Sequence, residues 1–157
     1  MYSVKLKVRF YETDMMGIAH HSNHFRWFEL ARVEYLRHLG VNLWDMMDED
    51  IVFPIAHVHC DYKEPAKYDD AIRIDTYLTK MTRAQMVFSY KMYRDSDDTL
   101  LATGETKNAF TSKTTNKVVR LEDKYFLPLK GAQEVMEWWM QIRKTYAVNL
   151  LGSLILV

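Results

Sequence analysis

A chain of 157 residues is long enough to bury a core within one domain, and 48% hydrophobic with 27% charged residues excludes a disordered segment. Twenty-one lysines and arginines balance 21 aspartates and glutamates, so no excess of positive charge is available for a phosphate backbone, and nucleic acid is not an expected partner. The single cysteine, Cys60, cannot form an internal disulfide and reads as a buried structural thiol. With no secretory leader pattern at the start, the expected localisation is cytoplasmic.

Residues 4–10 alternate Val4, Leu6, Val8 and Phe10 with Lys5, Lys7 and Arg9, the period of a half-buried strand. The pattern breaks at Tyr11-Glu12-Thr13-Asp14, and Gly17 marks a turn suited to a positive φ. Ser22 and Asn23 are good N-caps and Gly40 is a good stop, which predicts one long helix ending near Leu39. Its apolar stripe holds Phe28, Ala31, Tyr35 and Leu39. Arg32 falls within that stripe and needs an ion pair or backbone hydrogen bonds.

After a short helical or irregular stretch at 43–50, strands are expected at 51–64, 71–82, 85–94, 99–112 and 118–121, with residues 95–98 as a hairpin turn. A second helix is expected over about 131–147, including Val135, Trp138, Trp139 and Ile142. The apolar run 148–157 is too short for a membrane span of roughly 20 residues. It reads as a packed terminal segment, an oligomer contact or a leftover of cloning. One long helix on an antiparallel sheet is an α+β arrangement. A single helix covers only part of so wide a sheet, so a homo-oligomer is expected.

No phosphate-binding glycine loop, dinucleotide fingerprint or G-x-S-x-G elbow is present. Polar residues concentrate instead at 11–24, where a strand end, a glycine-containing loop and a helix start follow one another. The first N–H groups of a helix lack internal partners and carry the positive end of its dipole, so they can stabilise an oxyanion on a thioester carbonyl. A carboxylate at the loop's start, Asp14, can attack that carbonyl or activate water. Asp14 also reads as an Asx-turn residue. Tyr11 and Thr13 read as structural, and His57 and His59 as surface or pocket-lining residues of one strand face. His20 and His24 are four apart, but a helix starting between them spoils that spacing for a metal, and no metal site is expected.

The run Arg9-Phe10-Tyr11-Glu12-Thr13-Asp14-Met15-Met16-Gly17-Ile18, then His21-Ser22-Asn23-His24-Phe25-Arg26-Trp27-Phe28-Glu29, resembles the signature of the 4-hydroxybenzoyl-CoA thioesterase family, in particular its YbgC-like acyl-CoA thioesterase branch. The block Asp61–Asp70 is similar to the family's x-Pro-Ala-Arg-x-Gly-Asp turn. The likeness covers about residues 3–127 of one domain spanning 1–157, leaving a C-terminal helix and apolar tail at about 128–157 without a counterpart. It implies a hot-dog fold, an antiparallel sheet wrapped around one long central helix, with dimers forming a continuous sheet and often pairing into tetramers. By position, Asp14 matches the catalytic carboxylate and His21 the motif histidine whose main-chain N–H faces the thioester oxygen. Gly17, Ser22 and Asn23 fall at the loop and helix opening that position the substrate. The resemblance implies no metal or bound cofactor, since coenzyme A arrives with the acyl-CoA substrate.

Lys67 and Arg83 are candidates for the coenzyme A phosphates, or simply solvated charges. His20 and His24 depart from the family pattern, which often has tyrosine or an apolar residue there. The rival readings are a non-catalytic acyl-CoA or small-ligand binder and an acyl dehydratase, whose motif is not found.

Overall fold

The protein's structure, a computed structural model, describes residues 1–153, with side chains described as far as Ile142. The apolar run 148–157 therefore lies outside the described side chains. In chain order the elements are β1 (Tyr2–Lys7), a 3-10 turn (Phe10–Glu12), α1 (His21–His38), α2 (Leu43–Asp48), β2 (Ile51–Val52), β3 (Ile55–Tyr62), β4 (Ala71–Met81), β5 (Gln85–Arg94), β6 (Leu100–Ala109), β7 (Thr111–Ser112) and α3 (Asp123–Ser153). Five strands form one antiparallel sheet in the order β1-β4-β5-β6-β3, and β2 pairs with β7.

Alternate residues of the central strands build the inner face. Ile72, Ile74 and Leu78 come from β4, Met86, Phe88, Tyr90 and Met92 from β5, and Ala102 from β6, all essentially without solvent exposure. Onto them α1 lays Trp27, Phe28, Ala31, Tyr35 and Leu36. Phe28 stacks on Tyr90 at 4.4 Å and 13°, and Tyr35 meets Phe88 edge-on at 5.6 Å. Burying each such side chain contributes about 1.5–3 kcal/mol, which fixes the helix across the sheet. Gly104 permits the contact: a Cβ there would lie 2.3 Å from Phe28 Cε2 and 2.6 Å from Cζ. Gly40, at φ +76°, ends α1 where a side chain would be strained.

Arg32 is buried within this layer, 5% exposed. Its Nη1 donates only long hydrogen bonds to the hydroxyls of Tyr90 (3.5 Å) and Thr106 (3.4 Å), and its Nε has no partner among the described residues. Neither the ion pair nor the backbone bonds expected for it are present there.

Four boundaries differ from the sequence reading. The first strand stops at Lys7 because residues 10–12 turn, leaving Phe10 77% exposed. Pro54, which cannot donate to a ladder, divides the segment 51–64 into β2 and β3. Residues 118–121 supply a single bridge, Thr111 to Val118. The last helix begins at Asp123, with Pro128 inside it. The hydrogen bond lost at Pro128 is outweighed by burial of Tyr125, Leu129 and Met136, and Arg83 fastens the helix start through the Leu121 carbonyl (2.8 Å) and the Asp123 carboxylate (2.5 Å). From there α3 runs against β4, leaving a cleft of about 650 Å³ lined by Tyr77, Tyr93, Met136 and Trp139 among others.

Candidate active site

Residues 12–20 form a tight hairpin leading into α1. Thr13 pairs with Ala19, the Asp14 N–H donates to the Ile18 carbonyl (3.0 Å), and the His20 N–H donates to the Glu12 carbonyl (2.8 Å). Gly17, at φ +72°, makes the turn possible. Glu12 ties the hairpin to its surroundings. One carboxylate oxygen accepts from the Arg9 N–H (2.7 Å), the other from the Trp27 indole (2.9 Å), and its carbonyl also accepts from the Asn23 side chain (2.6 Å). Across the hairpin, Ala19 N–H donates to Ala66 (2.8 Å) and Ile18 bridges Lys67, so both motif blocks meet.

Asp14 is half-buried in a hollow of about 560 Å³ that it shares with Phe10, Tyr11, Thr13, Met15, Gly17 and Tyr68. Its Oδ1 accepts from the Met16 N–H (2.8 Å), an Asx turn, while Oδ2 has no donor among the described residues and is free to face a ligand. Phe10, Tyr11, Met15, Met16 and Tyr68 are all exposed around it, an apolar patch of the kind that marks a ligand or partner site.

His21, Ser22 and Asn23 do not line this hollow; they head α1. His21, the first of them, follows Asp14's partner Ile18 by three residues, at most about 10 Å of extended chain. The cap is His20, not Ser22 or Asn23: its Nδ1 accepts from the Ser22 N–H at 3.3 Å and contacts Ser22 Oγ at 2.8 Å, and its carbonyl accepts from the Asn23 N–H at 2.9 Å. The His21 N–H has no acceptor among the described residues, which leaves it open to an oxyanion. Asn23 is buried with its side-chain amide committed to Glu12, so it braces the site instead of facing a substrate.

Two further residues were not singled out by sequence reasoning for this role. Tyr62, at the end of β3, donates to the His21 carbonyl at 3.2 Å. Partial burial and the adjacent Cys60 thiol push its phenol up to about 12, so it stays a donor at neutral pH. His24 is buried between Trp27 (5.1 Å) and Tyr62 (4.9 Å), and burial pulls its imidazole below the ordinary histidine range. Among the described residues no group of three or more His, Cys, Asp or Glu converges as a metal site would require. Cys60 is half-buried, its thiol pushed up by that burial. Lys67 is exposed next to the hairpin. Arg83 is engaged by Leu121, Asp123 and the Phe126 ring (4.4 Å), away from the hollow.

A five-stranded antiparallel sheet wrapped on one long helix, with a polar hairpin at the helix head, is the hot-dog fold. The DHNA-CoA thioesterase from Staphylococcus aureus superposes with a TM-score of 0.74 at 29% identity, over 96% of this chain and 93% of that one. A protein of Aquifex aeolicus (strain VF5) is 36% identical over 124 residues, 79% of this chain and 94% of its own. The acyl-CoA thioester hydrolase YbgC of Escherichia coli O157:H7 is 30% identical over 100 residues, 64% of this chain and 74% of its own. A family model described as the thioesterase-like superfamily matches residues 8–138. The chain belongs to that superfamily, as a thioester hydrolase. The likeness to YbgC-like thioesterases is borne out.

Proposed function

We infer that this chain hydrolyses acyl-CoA thioesters, water and acyl-CoA giving a carboxylic acid and coenzyme A. Asp14 either attacks the acyl carbon, expelling the coenzyme A thiolate and forming an anhydride that water then hydrolyses to the acid and free Asp14, or takes a proton from a water that attacks the acyl carbon itself. In both routes the departing sulfur ends with a proton that comes from that water. The His21 N–H, at the positive end of α1, holds the oxygen as it gains charge. The observation that carries this reading is a carboxylate with one free oxygen on a hairpin that delivers the chain directly to an unpaired helix-start amide. The apolar patch around Asp14 suits the acyl group, and Lys67 beside the hairpin suits a coenzyme A phosphate. Nothing in this scheme calls for a metal or a resident cofactor.

The assembly we infer is a homodimer through β3, with dimers free to pair into a homotetramer. β3 is an edge strand whose Ile55, Val58 and Tyr62 are exposed, and an eight-residue edge presents unpaired backbone groups to another chain. The Tyr62 contact with His21 puts that edge against the helix head, so a partner strand would stand beside the site.

The test is thiol release from acyl-CoAs graded in chain length and aromatic character. Turnover of at least one class supports the reading. Binding of those acyl-CoAs without release of thiol makes the chain a ligand binder instead.

A further inference from the structure

The two groups assigned to the chemistry sit on different pieces of chain, Asp14 on the hairpin and the His21 N–H on the first turn of α1. Whatever holds one piece over the other decides whether carboxylate and amide can act on the same thioester. Apart from those of the capping residue His20, the hydrogen bonds from the hairpin to α1 among the described residues all end on Glu12. Its carbonyl accepts from the Asn23 side chain (2.6 Å) and its Oε1 from the Trp27 indole (2.9 Å). Asn23 and Trp27 stand one turn apart on the same helix face, and at 7% and 3% exposure both are fixed anchors. The same carbonyl takes the His20 N–H (2.8 Å), while Oε2 takes the N–H of Arg9, just past the end of β1 (2.7 Å).

Resting on the thioesterase reading, we propose that Glu12 is a positioning residue of the reaction, setting the Asp14 hairpin over the helix head through Trp27. Glu12 does not line the hollow that holds Asp14, so it acts through its neighbours and not on the substrate. Both groups facing its carboxylate are N–H donors with no acceptor to offer. A carboxylate accepts at both oxygens, whereas a glutamine of the same shape would set its own N–H against one of those donors. The position calls for glutamate and not merely for a residue of its size. Misplacing reacting groups by about 1 Å costs up to about a hundredfold in rate, so a small tilt of the hairpin is enough to matter.

Thiol release by the full chain is compared for wild type, Glu12→Gln, Trp27→Phe and the double variant, at a temperature where circular dichroism shows each to be folded. Glu12→Gln should lower kcat about tenfold or more with KM changed by less than about threefold. Trp27→Phe removes the Oε1 bond from the other side and should lower kcat likewise; it carries the test if Glu12→Gln does not fold. With the indole donor gone, the glutamine oxygen can serve Arg9 alone, so the double variant should turn over no more slowly than Trp27→Phe. Full kcat in the folded single variants, a loss confined to KM, or two losses that simply multiply in the double variant each overturn the proposal. An active wild type beside a full-rate Glu12→Gln refutes the role of Glu12 alone, whereas a wild-type chain that releases no thiol from any acyl-CoA refutes the thioesterase reading and that role with it.

Discussion

Gly104→Ala tests the closest approach of α1 to the sheet. The new Cβ would lie 2.3 Å from Phe28 Cε2 and 2.6 Å from Cζ, with the His59 carbonyl at 3.0 Å on another side. Ordinary carbon contacts sit at about 3.5–4.0 Å, so the ring must move by more than about 1 Å. It has nowhere to go. Phe28 is fully buried, and Tyr90 stacks on it at 4.4 Å. Overpacking of this kind costs about 1–3 kcal/mol, and the helix yields before the three-strand centre of the sheet does. Urea denaturation of the purified variant reads the loss as a lower midpoint at unchanged slope. Removing ring atoms with Phe28→Leu makes room, so the double variant should be more stable than the two single losses predict, with a coupling of about 1 kcal/mol or more. A Gly104→Ala variant within about 0.5 kcal/mol of wild type refutes the steric reasoning.

Two more outcomes follow from the helix head. Tyr62→Phe removes only the hydroxyl that holds the His21 carbonyl; stability should fall by about 0.5–1.5 kcal/mol, and turnover should drop with KM little changed. Unaltered turnover in acyl-CoA assays removes Tyr62 from the positioning of the site. Burial lowers the folded-state pKa of His24, so as pH falls the unfolded chain takes up the proton first. Its contribution to stability is therefore complete above the unfolded value near 6.5 and is lost as pH falls below it, at no more than about 1.4 kcal/mol per pH unit. His24→Phe should flatten that part of the stability–pH curve, and parallel curves for the two proteins contradict it.

How much of the fold could be read in advance varies by element for physical reasons. β5 was legible residue by residue because Met86, Phe88, Tyr90 and Met92 alternate without interruption. So was the stop of α1 at Gly40, where the conformation favours glycine. The start of α3 was hidden by Pro128 and Gly131, two local breakers overridden by burial that only the folded sheet supplies. His20 as the cap was missed because imidazole is a rare capping group, and the better-known caps Ser22 and Asn23 stand next to it.

In the candidate site, the hairpin and helix head follow from a run of adjacent residues, so they could be read from sequence. Their braces could not. Tyr62 reaches His21 across 41 positions, and no local pattern encodes such a pairing. Gly104 did leave a signal, since a glycine inside a strand often marks a close backbone approach.

The most direct measurement is the rate of thiol release by Asp14→Asn on the best acyl-CoA substrate, with substrate affinity followed separately. Oδ1 remains as an amide oxygen able to keep the Met16 turn, so the fold and assembly should persist while the attacking or proton-accepting group is lost. A loss of about a hundredfold or more in kcat, with acyl-CoA still bound, is the expected result. Near-normal turnover would show that the chemistry resides elsewhere.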